Sequence, residues 1–333
     1  MRPPPRVVRR VVLAPAVVLL TVLLLATLPG WLVLAAALSP LLPGRWRALR
    51  VLWVGTVAMV LESAVLVALL GLWIASGFGL VLRTPPFQLL HYGLVGWYLR
   101  VLYRTASRVL GLHVEVEGPH PDEFRDRPLV VACRHAGPGD SFLLVHALVN
   151  WYDREPRIVL SDRLQWDPAL DVVLNRLPTR FVRGGGGKLE RRIAELATAL
   201  DHDDAFVIFP EGGNFTERRR LAGIERLRAR GLDEMARRSE EMRHVLPPRP
   251  GGFTAALAAA PEADVVWVAH AGLDHLFTVA DVWRELPLDT TVRMRFWRVP
   301  AAEVPRTEDE QVAWLWDWWT RIDAWVDEVR SAD

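Results

Sequence analysis

The chain has 333 residues, 51% of them hydrophobic and 24% charged, which leaves room for one sizeable soluble domain and a membrane segment beside it. Cys133 is the sole cysteine, so an intrachain disulfide is excluded and a reducing compartment fits. The net charge of +1 conceals a division: residues 1–112 hold eleven arginines against the single acid Glu62, while the remainder carries 29 basic and 38 acidic residues. A basic apolar end joined to an acidic soluble end suits a protein seated on an anionic membrane surface, with membrane lipids as partners. Lys188 is the only lysine, so part of the arginine richness reflects base composition, and no nucleic-acid partner is expected.

At the N-terminus, Arg9 and Arg10 precede an uncharged run over residues 11–42, and a second run, 51–82, is interrupted only by Glu62. Each exceeds the roughly eighteen residues that separate a membrane helix from a soluble core helix, and the first is too long for a signal-peptide core. Pro29-Gly30 divides the first run. At about 1.5 Å per residue, Val11 to Leu28 reaches about 27 Å, but Trp31 to Leu42 only about 18 Å. A helix that dips in, turns at Pro29-Gly30 and returns keeps Arg9, Arg10, Arg45, Arg47, Arg50 and Arg83 on one, cytoplasmic, side of the cell membrane. Residues 1–83 are therefore expected to be a re-entrant, membrane-embedded helical arm, with two conventional crossings as the alternative. Residues 84–112 read as an interfacial linker helix, in which Tyr92, Trp97, Tyr98 and Tyr103 mix with Arg100, Arg104 and Arg108.

From residue 113 to 333 the pattern is that of a soluble domain. His113 to Glu117 alternates as a strand, and the apolar run Leu129 to Cys133 ends in Arg134-His135-Ala136-Gly137-Pro138-Gly139-Asp140. An imidazole titrates near neutral pH and can take a proton from a hydroxyl; a carboxylate on its other nitrogen fixes the tautomer. The glycine turn lets Asp140 fold back toward His135, although Asp140 can equally cap the helix expected over Ser141 to Asn150. Cys133 beside it reads as a buried structural thiol rather than a nucleophile.

A strand at Arg157 to Leu160 and helical sequence through Leu174 follow, then Leu177 to Arg183. Strands alternating with helices predict an α/β fold with a mixed, largely parallel sheet flanked by helices. Glycines 184 to 187 and Lys188 open a helix carrying Leu189, Ile193, Leu196 and Leu200 on one face; they make either an anion site or a flexible loop, and Leu189 excludes a P-loop. Ala205 to Phe209 is strand-like and empties into Pro210-Glu211-Gly212-Gly213-Asn214. Glu217 to Arg243 is helical, with nine arginines and six acids, either a solvated face or a basic lid over lipid phosphates. Asp264 to Ala269 and Val292 to Val299 read as strands. The last helix, 307–329, places Leu315, Trp316, Trp319, Ile322 and Val326 on one face, with Trp314, Trp318 and Trp325 forming a second packing surface or a lipid contact. No metal-ligand spacing stands out among the histidines.

His135 with Asp140, followed about seventy residues later by Phe-Pro-Glu-Gly at 209–212, resembles the glycerolipid acyltransferases, specifically the 1-acylglycerol-3-phosphate acyltransferase family, from about Leu129 to the C-terminus. That resemblance implies the glycerol-3-phosphate acyltransferase-like fold and transfer of an acyl chain from acyl-CoA or an acyl carrier protein, as substrate and without a cofactor, to a lysophospholipid hydroxyl. It makes His135 the base and Asp140 its orienter, and it assigns acceptor binding to Arg183, Glu211, Gly212 and Gly213. Arg134, Gly137, Pro210, Lys188 and Pro250, the last in Leu246 to Phe253, are further candidates. The family carries an asparagine before the histidine and a serine two after it, where this chain has Arg134 and Gly137. It continues Phe-Pro-Glu-Gly with Thr-Arg-Ser, where this chain has Gly213-Asn214-Phe215, so Arg218, Arg219 or Arg220 is left to replace that arginine. Lysophosphatidic acid is the expected acceptor; another lysolipid or glycolipid, or a catalytically silent lipid-binding protein on the same fold, are the alternatives.

Overall fold

The computed structural model describes residues 3–332 apart from 43, 45, 121–122, 124–125, 183–186, 274–278 and 287–289. They divide into two compact units. One comprises Met1–His113, Val159–Arg183 and Val279–Thr290, the other Val114–Ile158, Gly184–Thr278 and Thr291–Asp333.

In the first unit a π-helical stretch, Val8–Leu13, leads into α1 (Ala14–Leu38) and a 3-10 turn, Ser39–Leu41. They make one apolar helix of 34 residues, about 51 Å long at 1.5 Å per residue. The expected turn at Pro29-Gly30 is not there: α1 runs through Pro29. One internal proline costs roughly 3 kcal/mol and one backbone hydrogen bond, whereas ending a helix among apolar residues would strand several more N–H and C=O groups. The chain turns instead near Gly44, whose φ of +93° and close approach to the Leu286 carbonyl leave no place for a Cβ.

Helix α2 (Arg47–Ala75) returns along α1, where Ser63 Oγ donates to Thr21 Oγ1 at 2.8 Å and Thr21 Oγ1 lies 3.1 Å from the Met59 carbonyl. Both long helices have the length and composition to cross a membrane, and Leu19, Leu23, Val33, Val67 and Ile74 stand exposed on them, which supports membrane association. Helix α3 (Pro85–Leu110) ends at Gly111 in the left-handed region, a common C-terminal cap.

The remaining elements are β1 (Leu112–Glu117), β2 (Leu129–Cys133), α4 (Pro138–Asn150), β3 (Glu155–Ser161), α5 (Pro168–Leu174), β4 (Arg180–Val182), α6 (Gly187–Ala197), β5 (Asp204–Ile208), α7 (Glu217–Arg228), α8 (Asp233–Glu241), α9 (Pro250–Ala259), β6 (Asp264–Ala271), α10 (Val279–Glu285), β7 (Thr290–Val299) and α11 (Glu308–Ala332). The charged run after Thr216 is thus two helices, parted at Gly231 with φ +71°.

Helix α5 belongs with the arm. Ala169, Val172 and Val173 pack against Val65, Leu66, Leu69 and Tyr92. Glu62, the lone acid of the first 112 residues, accepts from the Ala169 N–H at 3.0 Å, at the start of α5. Asp171 is fully buried and receives Arg9 at 2.8 Å and Arg10 at 3.3 Å. At the other end of α1, Arg47 donates to the Leu286 carbonyl at 2.6 and 3.1 Å.

The sheet has seven strands in the order β1-β7-β6-β2-β5-β3-β4. Strands β6, β2, β5, β3 and β4 run parallel and β7 is antiparallel to β6. Every residue of β2, β5 and β6 is buried, as in a sheet covered on both faces. In α11, Trp318 stacks on Trp267 at 5.2 Å and Trp325 meets Trp297 edge-on at 6.0 Å, so the tryptophans off the main apolar face form a second packing surface.

Because removing one member of a buried ion pair leaves its partner uncompensated, Asp171→Ala is expected to cost about 3 kcal/mol of unfolding free energy. Replacing Arg191, which makes an exposed pair with Glu195, is expected to leave it unchanged. Denaturant titration of the full chain in detergent micelles measures both.

Candidate functional site

The register of three adjacent parallel strands sets the site. Ala132 of β2 pairs with Ile208 of β5, and Cys133 pairs with Val268 of β6. Three residues beyond the first pair stand His135 and Glu211, and two beyond Val268 stands His270. Main-chain bonds carry the alignment past the strand ends, with Arg134 N–H donating to the Val268 carbonyl at 3.1 Å and Phe215 N–H to the His135 carbonyl at 2.8 Å. All three side chains therefore lie at the carboxyl edge of the sheet, where β2 sends the chain toward β3 on one side while β6 lies on the other. Such a divergence opens a crevice at the strand ends.

The His135 ring lies 4.5 Å from Phe209, and its buried Nδ1 has no hydrogen-bond partner among the described residues. Burial first, and then the positive fields of His270 and Arg219, bring its pKa down to about 4. The imidazole is thus neutral at physiological pH, with a lone pair able to accept a proton.

Asp140 is not the N-cap but the third residue of α4, which begins at Pro138 rather than Ser141. Its Oδ2 accepts from the Gly137 N–H across the turn, and its Oδ1 lies 3.5 Å from His270 Nδ1. Among the described residues it makes no hydrogen bond to His135. Arg134 is wholly buried, and its guanidinium donates to the His244 carbonyl at 2.9 and 3.0 Å and to the His270 carbonyl at 2.6 Å. At the position where the family has asparagine, this chain has a clamp on β6 and on the segment after α8. Cys133 is fully buried, and its thiol is pushed well above the usual range by burial and the acids nearby, so it is inert at neutral pH.

Glu211 is also buried, and burial raises its carboxyl well above the usual carboxylate range despite Arg134 and the N–H groups of His135 and Leu246. Pro210 accepts from the Arg249 N–H at 2.8 Å, and Gly212 turns in the left-handed region at φ +68°. The guanidinium of Arg249 lies against Gly212 and that of Arg219 against Gly213. Arg219 donates to the Asn214 carbonyl at 2.9 Å, and Arg226, Arg230 and Arg219 all raise the positive field at Arg249. Among the described residues no carboxylate pairs with Arg219 or Arg249. Pro250 opens α9 at its first position, as proline favours. Arg183 and glycines 184 to 186 lie outside the described residues, as does the side chain of Lys188.

Residues 113–271 match the family model described as Acyltransferase. This stretch is therefore similar to an acyltransferase domain. Neither the curated proteins nor the solved structures gave a match. The matched stretch contains His135, Asp140, Glu211, Arg249 and His270 together, and ends at Ala271, the last residue of β6.

Reasoning from sequence passed over His270 and the side chain of Arg249. The available signal for the first was a histidine closing an otherwise apolar strand just before Gly272. For the second it was a cation two residues after Pro247, in a proline-rich stretch. The exposed Asp201-His202-Asp203 group is the one set of three metal-type ligands close together among the described residues, but Asp201 Oδ1 already accepts from the Asp203 N–H in its own turn.

With burial as the main cause, His135 is expected to titrate near pH 4, well below a free imidazole. Its neutral form is favoured by the fold, so its contribution to stability is complete above about pH 6.5 and declines as pH falls toward 4. Ring-nitrogen NMR of the full chain follows the midpoint; one near 6.5 would show that solvent reaches the ring freely.

Proposed function

We propose that the protein transfers an acyl group from an acyl thioester to the free hydroxyl of lysophosphatidic acid, giving phosphatidic acid, with His135 as general base. The observation that carries this reading is a neutral, buried imidazole level with Glu211, with the guanidinium of Arg219 acting on it and that of Arg249 against Gly212, neither neutralised by an acid among the described residues. His135 takes the hydroxyl proton as the acceptor oxygen attacks the thioester carbonyl. The new C–O ester bond forms, the C–S bond breaks, and the imidazolium returns the proton to the departing thiolate. Asp140 holds the turn that carries the ring, through the Gly137 N–H. Arg219 and Arg249 bind the acceptor phosphate, together with the Arg183 that the family resemblance assigns to it, because guanidinium matches phosphate in bidentate fashion. A phosphate dianion beside Arg219 cancels a charge that depresses His135, so binding the acceptor makes the base stronger at the moment it is needed. Glu211, buried and shifted toward its neutral form, stands next to Gly212 and Gly213, against which the two guanidiniums lie.

Acyl-CoA consumption with a panel of lysolipids tests this reading. Lysophosphatidic acid is expected to be the best acceptor, His135→Ala to lose about two to four orders of magnitude, and Arg249→Ala to raise KM for a phosphate monoester acceptor by about ten- to a hundredfold while sparing acceptors without one. Normal turnover in His135→Ala membranes would remove the mechanism, and thioester loss with no acceptor at all in the wild type would remove the function.

We also place the arm in a single leaflet on the cytoplasmic side. A helix about 51 Å long would have to tilt by more than about 50° to fit a hydrocarbon core of about 30 Å, beyond the usual range of tilts. Its two ends are bonded through Arg9 and Arg47 to Asp171 and Leu286, residues that follow both apolar helices in the chain. A hairpin lying along the surface with its exposed leucines and valines in lipid keeps both ends on one side. Arg47→Cys is therefore expected to resist a membrane-impermeant thiol reagent in intact cells and to react after permeabilisation; the native Cys133 is buried and silent. Labelling of intact cells would favour two crossings.

A further inference from the structure

His270 closes β6, is 1% exposed, and plays no part in the reaction described above. Its Nε2 lies 2.9 Å from the Arg134 carbonyl oxygen. A carbonyl only accepts, so Nε2 carries a hydrogen. The other nitrogen, Nδ1, is 3.5 Å from Asp140 Oδ1. A bare ring nitrogen and a carboxylate oxygen both present lone pairs, and in a buried place that contact is repulsive unless a proton lies between them. Asp140 Oδ2 accepts the Gly137 N–H, a bond that a carboxylate makes more strongly than a neutral acid, so the proton belongs on the imidazole.

We infer that His270 is a positioning residue of the site: as a buried imidazolium it pairs with Asp140, and the pair fixes the Gly137 turn and keeps the neighbouring His135 in its proton-accepting form. The pair itself stands on geometry, and its consequence for catalysis rests on the acyltransferase reading given above. The charged and titratable groups around His270 are Asp140 from α4, Arg134 and His135 from the end of β2, and Glu211, whose field reaches Asp140, from beyond β5. On its other side β7 sets Met294 opposite, and the flanking Arg293 and Arg295 are paired with Glu115 and Glu117. Arg134 opposes a second cation here, and the Asp140 carboxylate compensates it. With His270 charged, protonating His135 would put a further positive charge into the same buried space. That field adds to burial in lowering the titration of His135.

The sign of the effect follows. Removing the charge at His270 makes His135 easier to protonate, and a base is lost as pH falls through its pKa, so the acid limb of the pH–rate profile moves to higher pH. His270→Gln keeps an N–H for the Arg134 carbonyl but carries no charge. In kcat/KM for lysophosphatidic acid its acid limb is expected to lie about one pH unit or more above that of the wild type. A purely structural histidine would lower the rate or the melting temperature without moving that limb.

Ring-nitrogen NMR on the wild-type full chain in nanodiscs gives the second readout, independent of activity and of how the variant folds. At pH 7 both nitrogens of His270 are expected to carry protons while His135 carries one. A single ring proton on His270 at pH 7, or an unmoved acid limb in a folded His270→Gln protein, overturns the inference. Should the wild type acylate no lysolipid, the functional reading fails, and the NMR spectrum still decides whether the buried pair exists.

Discussion

The site depends on the register between β2 and its two parallel neighbours. Strands β2, β5 and β6 are buried at every residue, so sliding one past another by a single position would turn each side chain toward the opposite face and shift the strand ends by about 3.3 Å. With Ala132 opposite Ile208 and Cys133 opposite Val268, the residues that leave the sheet edge come out level: His135, Glu211 and His270. The fold positions the chemistry through apolar side chains that take no part in it. The clamp by Arg134 on the carbonyls of His244 and His270 then ties the end of β2 to β6 and to the segment after α8.

Exclusion of water sorts the charges of the site by depth. In the floor, burial drives His135 and Glu211 toward their neutral forms, and Asp140 lies beside a histidine. Arg219 and Arg249, nearer solvent against Gly213 and Gly212, keep their charges. The cations thus lie nearer solvent and the neutral imidazole deeper. Where the resemblance leads one to expect Thr-Arg-Ser after Gly212, guanidiniums come from two other places, the first turn of α7 and the residue before α9.

Much of this was legible in the sequence because it is local. Apolar β-branched runs ending in glycine turns gave the strands of the sheet, and the histidine and the Pro210-Glu211-Gly212 turn follow directly from them. What the sequence hid depends on partners far away in the chain. Asp140 was readable as a helix residue but not as the third one, because Gly137, with no side chain of its own to cap, leaves Asp140 to reach back to its N–H. Arg134 looked like a departure from a motif, and only the fold shows its guanidinium satisfied by carbonyls 110 and 136 residues on. His270 fell just past the strand expected over Asp264 to Ala269, and only the register brought it beside Asp140. The Pro29-Gly30 pair misled for the opposite reason: a local breaker was given more weight than the cost of stopping a helix inside an apolar run.

The arm also changes how its charges are to be counted. The excess of arginine before residue 113 reads, in sequence, as attraction to anionic lipid, but Arg9 and Arg10 are bonded to Asp171, and Arg47 to the Leu286 carbonyl. Those three cations hold protein, and Glu62, apparently a misplaced acid in a membrane helix, holds the start of α5. A charged or polar group within an apolar helix is costly unless it is partnered, and here each of the four has its partner in a later segment of the chain. Within the first unit, the apolar helices are therefore fastened just before α1, at the start of α2 and in the middle of α2. Fastened at three points along its length, the hairpin is part of one folded unit with α5 and the segment that ends at Leu286.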